Sequence, residues 1–189
     1  MSAEVTAIIT THGRPGCVQQ ALASVRAETH RDIEIVVVDD DAGAGVARAR
    51  NRGLAAARGE FVIFLDDDDV ALPHRISSLV SAARRHDASL SFGMTRRRID
   101  DTTDLLESVP TYLVPGPVEF CDLLSCNPHI NAVLARTDAL RDAGGFDVHA
   151  DHFDTGPRGC ASPIAMPSCG TLRRLSPSGA SIRAASRQT

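Results

Sequence analysis

Three short aliphatic runs, each ending in a polar or acidic cluster, constrain this chain more than any other feature. Residues 5–10 (VTAIIT) lead into Thr11, His12 and Gly13, residues 33–38 (IEIVVV) into Asp39, Asp40 and Asp41, and residues 61–65 (FVIFL) into Asp66, Asp67, Asp68 and Asp69. The second and third are nearly continuous aliphatic sequence, which predicts strands buried on both faces. Between the runs the apolar period lengthens. Val18, Ala21, Leu22 and Val25 fall at helical spacing within 16–28, and the Ala- and Arg-rich stretch 45–57 reads as a second helix. A third is predicted over 73–85, where Pro73 suits the first turn and Ile76, Leu79, Val80 and Ala83 share one face. Residues 88–94 read as a fourth strand. This alternation predicts an α/β fold, a mostly parallel sheet with helices on both faces.

Further along, the pattern weakens. Residues 95–117, with Arg96, Arg97 and Arg98 followed by Asp100, Asp101 and Asp104, read as a solvated connection, and 118–124 as a short helix. Residues 132–135 are strand-like, and 137–143 a helix with Thr137 as N-cap and Gly144 as its stop. The last thirty-five residues have a different texture, with six Ser, four Pro and four Gly and no helical or alternating period. They are expected to be irregular or disordered.

Charge divides the chain at the same point. All twenty basic residues are Arg, which excludes Schiff-base chemistry and a P-loop lysine. Up to Asp154 there are fifteen Arg against all twenty-four acids, a net of −9, whereas the rest holds five Arg and no acid. An acidic body is not the basic face that nucleic acid requires. The five cysteines contain no C-x-x-C pair, so reduced thiols are expected and a zinc site is not. No apolar run approaches the ~20 residues that cross a bilayer, and Met1 to Glu4 lack a signal-peptide pattern. The expectation is a cytoplasmic protein without a transmembrane segment.

In an open α/β sheet, ligands bind beyond the carboxyl ends of the strands, where these polar clusters fall. Seven carboxylates on two adjoining loops repel one another, so they raise their own pKa values or recruit cations. Arg14, Arg48, Arg50 and Arg52 can offset part of that charge, and a hard divalent ion, Mg²⁺ or Mn²⁺, suits the remaining oxygens. A single Asp after a strand is commonly a turn residue or a cap. Four in succession after FVIFL are harder to explain so, although a solvated acidic loop remains an alternative. Gly43-x-Gly45 follows the second strand and has Arg48 where a third glycine should stand, so it is a poor dinucleotide fingerprint.

Taken in order, VTAIITTHGRP, EIVVVDD, ARNRGLAAARGEFVIFLDDDD and LARTDALRDAGGFD resemble the family 2 glycosyltransferases of the GT-A fold, over Val5 to Asp154. The family's first motif ends in Pro-Thr-x-Asn-Arg. Here Thr10-Thr11-His12-Gly13-Arg14 keeps the second threonine and the arginine but not the proline or asparagine. The resemblance implies that Thr10, Thr11 and Arg14 line the nucleotide, that Asp39 accepts a hydrogen bond from the base, and that Asp40 supports the loop. It puts Arg50 and Asn51 beside the nucleotide. The Asp-x-Asp signature falls on Asp66, Asp67 and Asp68, with Asp66 on the ribose, Asp68 on the metal and Asp69 in support. It further implies a UDP- or dTDP-sugar donor, an acceptor hydroxyl, Mn²⁺ or Mg²⁺, and inversion with an Asp as general base after GGFD. Asp151 is favoured over Asp154 for that role, with His149 and His152 as alternatives. Asn127 and His129 fall where the family carries acceptor-facing polar groups; His129 would contact the donor sugar or the acceptor, or both residues would simply cap or shape a turn.

The implied organisation is a nucleotide-sugar-binding half over 1–98, an incomplete acceptor half over 99–154, and an irregular tail over 155–189. The family continues after its base with an acidic and aromatic helix, whereas this chain has Thr155-Gly156-Pro157 and no tryptophan. A frame change or a replaced C-terminus near Asp154 would produce that switch. Two other functions stay open: a nucleotide-sugar-binding module without transfer activity, and a sugar-1-phosphate nucleotidyltransferase, against which the absence of Lys argues.

Overall fold

A computed structural model describes residues 3–40, 43–93, 96–98, 105–107, 130–149 and 172–173. The chain begins β1 (Val5–Thr11), α1 (Pro15–Arg26), β2 (Ile33–Asp39), α2 (Val46–Ala56), β3 (Phe61–Asp66), α3 (Arg75–Arg85) and β4 (Ala88–Phe92). There follow β5 (Arg96–Arg98), β6 (Leu105–Glu107), a 3₁₀ turn (Ile130–Ala132), β7 (Val133–Arg136), α4 (Thr137–Asp142) and β8 (Leu172–Arg173). The main sheet runs β2-β1-β3-β7-β4-β8. β1 is parallel to both β2 and β3, whereas β7 lies antiparallel between β3 and β4.

Strand side chains alternate between two cores. Val5, Ala7 and Ile9 of β1 and Phe61, Ile63 and Leu65 of β3 face α1 and α3, meeting Ala21, Val25, Ile76, Leu79, Val80 and Ala83. The intervening Ile8, Val62 and Phe64 face the other way, toward Leu54, Ala57 and Leu140. β1 and β3 are therefore buried on both faces, as the run FVIFL predicts for β3. Cutting Ile76 to Ala removes a fully buried side chain and costs about 2–5 kcal/mol.

Gly53 lets α2 lie against β1, because a Cβ there would come within 2.3 Å of the Ile8 side chain. That close approach sets the height of α2 beside the ends of β1 and β3, where the polar clusters lie.

Several expectations need correction. β2 is not buried on both faces: its residues are half-buried or exposed, with Val37 45% exposed. Among the described residues it is the edge strand, paired only with β1, and an aliphatic run does not reveal whether a neighbour covers each face. Pro73 precedes the helix, which starts at Arg75, and its carbonyl accepts the Thr29 N–H at 2.8 Å. Thr137 is the first residue of α4 and not its cap. Its hydroxyl donates to the Gly59 carbonyl at 2.7 Å, and Arg136 takes the cap position in extended conformation. Gly144 and Gly145 do stop α4, both with positive φ.

The expected connection after β4 contains the antiparallel pair β5–β6, with Arg96 opposite Glu107. Partners on both sides of a loop satisfy each other's backbone, which the local sequence does not announce. Within the stretch expected to be irregular, β8 pairs antiparallel with β4 at Ala88 and Leu90. There the edge of β4 supplies the hydrogen-bonding partners that the local composition lacks. The short helix expected over 118–124 lies outside the described residues.

Candidate functional site

The parallel registers bring the clusters to one rim. Thr11 of β1 stands beside Asp39 of β2, and Thr10 beside Asp66 of β3. Hydrogen bonds from the Asp40 N–H to the Thr11 carbonyl and from the Asp67 N–H to the Thr10 carbonyl continue the pairing past the strands, at 2.9 and 3.1 Å.

The acidic loop after β3 is held residue by residue. Asp66 accepts from the Thr10 hydroxyl at 3.0 Å, Arg50 Nη2 at 3.2 Å and Asn131 Nδ2 at 3.1 Å. Burial pushes its pKa upward, but the Arg50 charge and then these hydrogen bonds outweigh burial and hold the carboxyl below its usual range. Asp67 is fully buried. It accepts from the Thr11 hydroxyl at 2.6 Å and meets Arg14 Nη2 at 2.6 Å. Asp68 differs: its side chain is 58% exposed, and the half-exposed Arg14 touches it at 3.1 Å. Burial works against the charge on Arg14, but Asp67 and Asp68 more than compensate and raise its pKa. Asp69 is bound by Asn131 Nδ2. Arg75 lies between Asp69 and the buried Glu28, and burial lowers its pKa to about 10 against their attraction.

Below β2's end, the Asp40 carboxylate accepts the N–H groups of Ala44 and Gly45 at 2.9 and 2.8 Å. It thereby braces the turn into α2 and places negative charge near that helix's N-terminus. Asp39 is exposed, and its carbonyl accepts from Arg52 Nη2 at 2.5 Å. Of the four arginines expected to balance the rim, Arg14 and Arg50 reach carboxylates. Arg48 and Arg52 instead donate to backbone carbonyls, because their places on α2 direct them to the preceding loop.

α2 also ties the rim to the GGFD turn. Asn51 Nδ2 donates to the Phe146 carbonyl, and the Phe146 N–H returns a bond to Asn51 Oδ1, both at 2.8 Å. Gly145 is needed there, since a Cβ would meet Asn51 Oδ1 at 2.5 Å. The Phe146 ring packs edge-on against Phe64 at 4.9 Å and lies 5.8 Å from the Arg50 guanidinium.

The rim thus unites Thr10, Thr11, Arg14, Arg50, Asp66, Asp67 and Asp68, with Asp39 on the neighbouring strand end. Both polar ends of Asn51 are taken up by Phe146. Asp151, Asp154, His152, Asn127 and His129 lie outside the described residues, and His149 is described on the exposed turn after GGFD, its N–H bonded to Asp147. Sequence reasoning missed Asn131. Its signal was a lone amide within the otherwise apolar stretch from Ile130 to Ala135.

A divalent ion needs oxygen ligands, and among the described residues no three His, Cys, Asp or Glu side chains converge to cage one. Asp66 is held by three protein donors and Asp67 is buried between Thr11 and Arg14, which leaves Asp68 as the exposed carboxylate of the loop after β3. That donor set fits Mg²⁺ or Mn²⁺ held by one carboxylate, substrate phosphates and water. Among the described residues no helix is long and apolar enough to cross a membrane.

A mostly parallel sheet with helices on both faces and an acidic signature at the end of its third strand is the GT-A fold, and solved structures agree. The chain aligns with Staphylococcus aureus TarS residues 1–349 in complex with UDP at a TM-score of 0.59 and 19% identity, over 80% of this chain and 52% of that one. It aligns with mannosyltransferase PcManGT from Pyrobaculum calidifontis, in complex with GDP-Man and Mn²⁺, at 0.56 and 16%, over 95% and 59%. The model of glycosyl transferase family 2 matches residues 6–43 and 41–109, more than half of the chain. The chain belongs to that family.

Among curated relatives, an uncharacterized glycosyltransferase, alr2836, of Nostoc is 34% identical over 44% of this chain and 34% of its own length. The succinoglycan biosynthesis protein ExoW of Rhizobium meliloti is 32% identical over 46% and 36%. A Campylobacter jejuni β-1,3-glucosyltransferase named for a diphosphoundecaprenol-linked acceptor is 28% identical over 42% and 34%. The chain spans about a third of the length of these relatives.

Proposed function

We propose that this chain carries the donor-binding part of a metal-dependent, inverting glycosyltransferase that moves a sugar from a UDP- or dTDP-sugar to an acceptor hydroxyl. The observation that carries the reading is the division of labour in the acidic loop: Asp66 and Asp67 are locked by protein donors while Asp68 stays accessible. Residues 1–98 form the nucleotide-sugar half and 99–154 an incomplete acceptor half, while 155–189 add only β8, on the edge of β4, to the described sheet. Relatives named as glycosyltransferases, and a neighbour solved with UDP, support a nucleoside diphosphate sugar as donor.

Transfer breaks the anomeric C–O bond to the β-phosphate and forms a bond to the acceptor oxygen on the opposite face. The electron pair of the broken bond leaves on the nucleoside diphosphate. Thr10, Thr11 and Arg14 border the diphosphate, Asp39 accepts from the base N3–H, and Asp66 takes a ribose hydroxyl. Arg50 and Asn51 fix the α2 wall beside the nucleotide, while Asp67 orients Thr11 and Arg14. Asp68 would hold Mn²⁺ or Mg²⁺, which as a Lewis acid stabilises the charge developing on the leaving diphosphate. Asp151 takes the acceptor proton.

Calorimetry with UDP, dTDP and GDP, with and without Mn²⁺, tests the donor half. Metal-dependent binding of UDP or dTDP in preference to GDP is expected, and absence of any nucleotide binding would sink the reading. Product analysis of sugar transfer with Asp151→Ala tests the second half. Transfer should be lost while UDP affinity is retained, and normal turnover would remove Asp151 from the reaction.

A further inference from the structure

We propose that Asn131 is a positioning residue for the acidic loop: its one amide group spans Asp66 and Asp69, so that the loop between them turns Asp68 outward. The inference rests on the donor-binding reading above and adds to it a residue from the turn that leads into β7, the strand beside β3.

The geometry is specific. Asn131 ends neither a strand nor a helix; it sits in the 3₁₀ turn that leads into β7, and it is 3% exposed. Its Nδ2 donates to Asp66 Oδ2 at 3.1 Å and to Asp69 Oδ2. Those two carboxylates bracket Asp67 and Asp68 along the chain. A backbone bond from the Asp69 N–H to the Asp66 carbonyl at 3.1 Å closes the same four residues into a turn. The amide therefore pins the side chains of a turn whose main chain is already pinned.

Charge explains why this residue is an amide. Arg50 already balances Asp66, and Arg14 already balances Asp67. A further cation at position 131 would neutralise the loop that has to attract a metal ion, and a carboxylate would repel it. An amide offers two N–H donors and no net charge. It joins the two carboxylates while the loop keeps its negative potential.

The opposite end of the same side chain supports a role other than stability. Asn131 Oδ1 is buried and has no hydrogen-bond partner among the described residues. An orphaned buried acceptor is a cost to folding. A residue serving packing alone would not carry it, since leucine has nearly the same shape.

Asn131→Leu and Asn131→Asp, in the full chain, separate the two roles. Thermal unfolding should show Asn131→Leu still folded and cooperative, since the partly exposed Asp66 and Asp69 carboxylates can turn to water once the amide is gone. Calorimetry should show its Mn²⁺-dependent affinity for UDP reduced about tenfold or more, the scale of losing a group that orients a metal ligand. Metal-free binding of uridine, whose ribose contact at Asp66 adjoins Asn131 but whose base contact at Asp39 does not, should fall by a smaller factor than UDP–Mn²⁺ binding. Asn131→Asp should show the same selective loss, because an ionised carboxylate cannot donate to Asp66 or Asp69. Without nucleotide, amide hydrogen exchange over 66–70 should quicken in both variants. Equal loss of uridine and UDP binding, or unchanged UDP–Mn²⁺ affinity with unchanged exchange, overturns the proposal. If the parent binds no UDP at all, the donor reading fails, and the exchange measurement alone then decides whether Asn131 orders the loop.

Discussion

At the end of the sheet where β1 and β3 begin, each glutamate meets an arginine. Arg84 pairs with Glu4 at 2.9 Å and with Glu60 at 2.5 Å, Arg136 reaches Glu60 at 2.9 Å, and Arg58 holds Glu34 at 2.5 Å. The Arg84 and Arg136 guanidiniums also lie 5.2 and 5.3 Å from the Phe61 ring centroid. At the end where the same strands finish, Arg14 and Arg50 face a longer row of carboxylates, and Asp39 and Asp68 remain exposed. One end cancels its charge and joins strands to helices; the other keeps an excess. Like-charge excess raises the free energy of the folded chain unless a ligand relieves it, so the contrast separates a joint from a site.

The largest effect that would sharpen the contrast is expected at Asp68. Asp68→Ala should weaken Mn²⁺-dependent UDP binding on the order of 100-fold, as calorimetry would read it. Its unfolding free energy should move by no more than about 0.5 kcal/mol, as for other exposed positions. A large loss of stability instead would mean that Asp68 belongs to the joint.

Asn51 stands between the two behaviours. Asn51→Ala strips the Phe146 N–H and carbonyl of partners at 2.8 Å and should cost about 2 kcal/mol in denaturant unfolding. Nucleotide affinity should fall as well, because Arg50 and Phe146 move with the clasp. Glu60→Gln belongs wholly to the joint. Partial exposure limits its ion pairs, so a loss of about 1 kcal/mol with unchanged UDP binding is expected.

The smallest effect is a pH dependence at Glu34. Burial pushes its pKa up, but the hydrogen bond from Thr6 and the bonds and charge of Arg58 outweigh burial and leave it lowered. Its stabilising contribution is therefore complete above the ordinary glutamate pKa of about 4.3 and is lost as pH falls through the lower folded value. Glu34→Gln should flatten the acid limb of a stability-versus-pH curve and leave its neutral and alkaline limbs parallel to the parent's. An unchanged acid limb would remove Glu34 from the joint's charge balance.

Much of the acidic rim was legible because its chemistry is local. The acids follow directly on the strands that carry them, so finding β1, β2 and β3 also located Thr10, Thr11, Asp39 and Asp66 to Asp68. Helix periods were legible for the same reason, and α1, α2 and α3 begin and end within about two residues of the positions their apolar spacing suggested. β2 was misread as a buried strand because IEIVVV reports hydrophobicity and not the number of neighbours. Thr137 has the chemistry of a cap, yet its hydroxyl is spent on Gly59, a partner 78 residues away. Asn131 offered only a polar residue in an apolar run, and its meaning depends on Asp66 and Asp69.

By itself, then, the sequence determined the alternation of strands and helices, the two cores formed by odd and even positions of β1 and β3, and the rim on which the carboxylates gather. Those follow from side-chain period and burial, which act over a few residues. Only the tertiary structure decided that β7 enters antiparallel between β3 and β4, that Asn51 closes on Phe146 across 95 residues, and that Asn131 reaches Asp66 across 65. Such pairings are chosen by backbone and polar groups that must find partners once buried. The partner becomes definite only when the layers have packed.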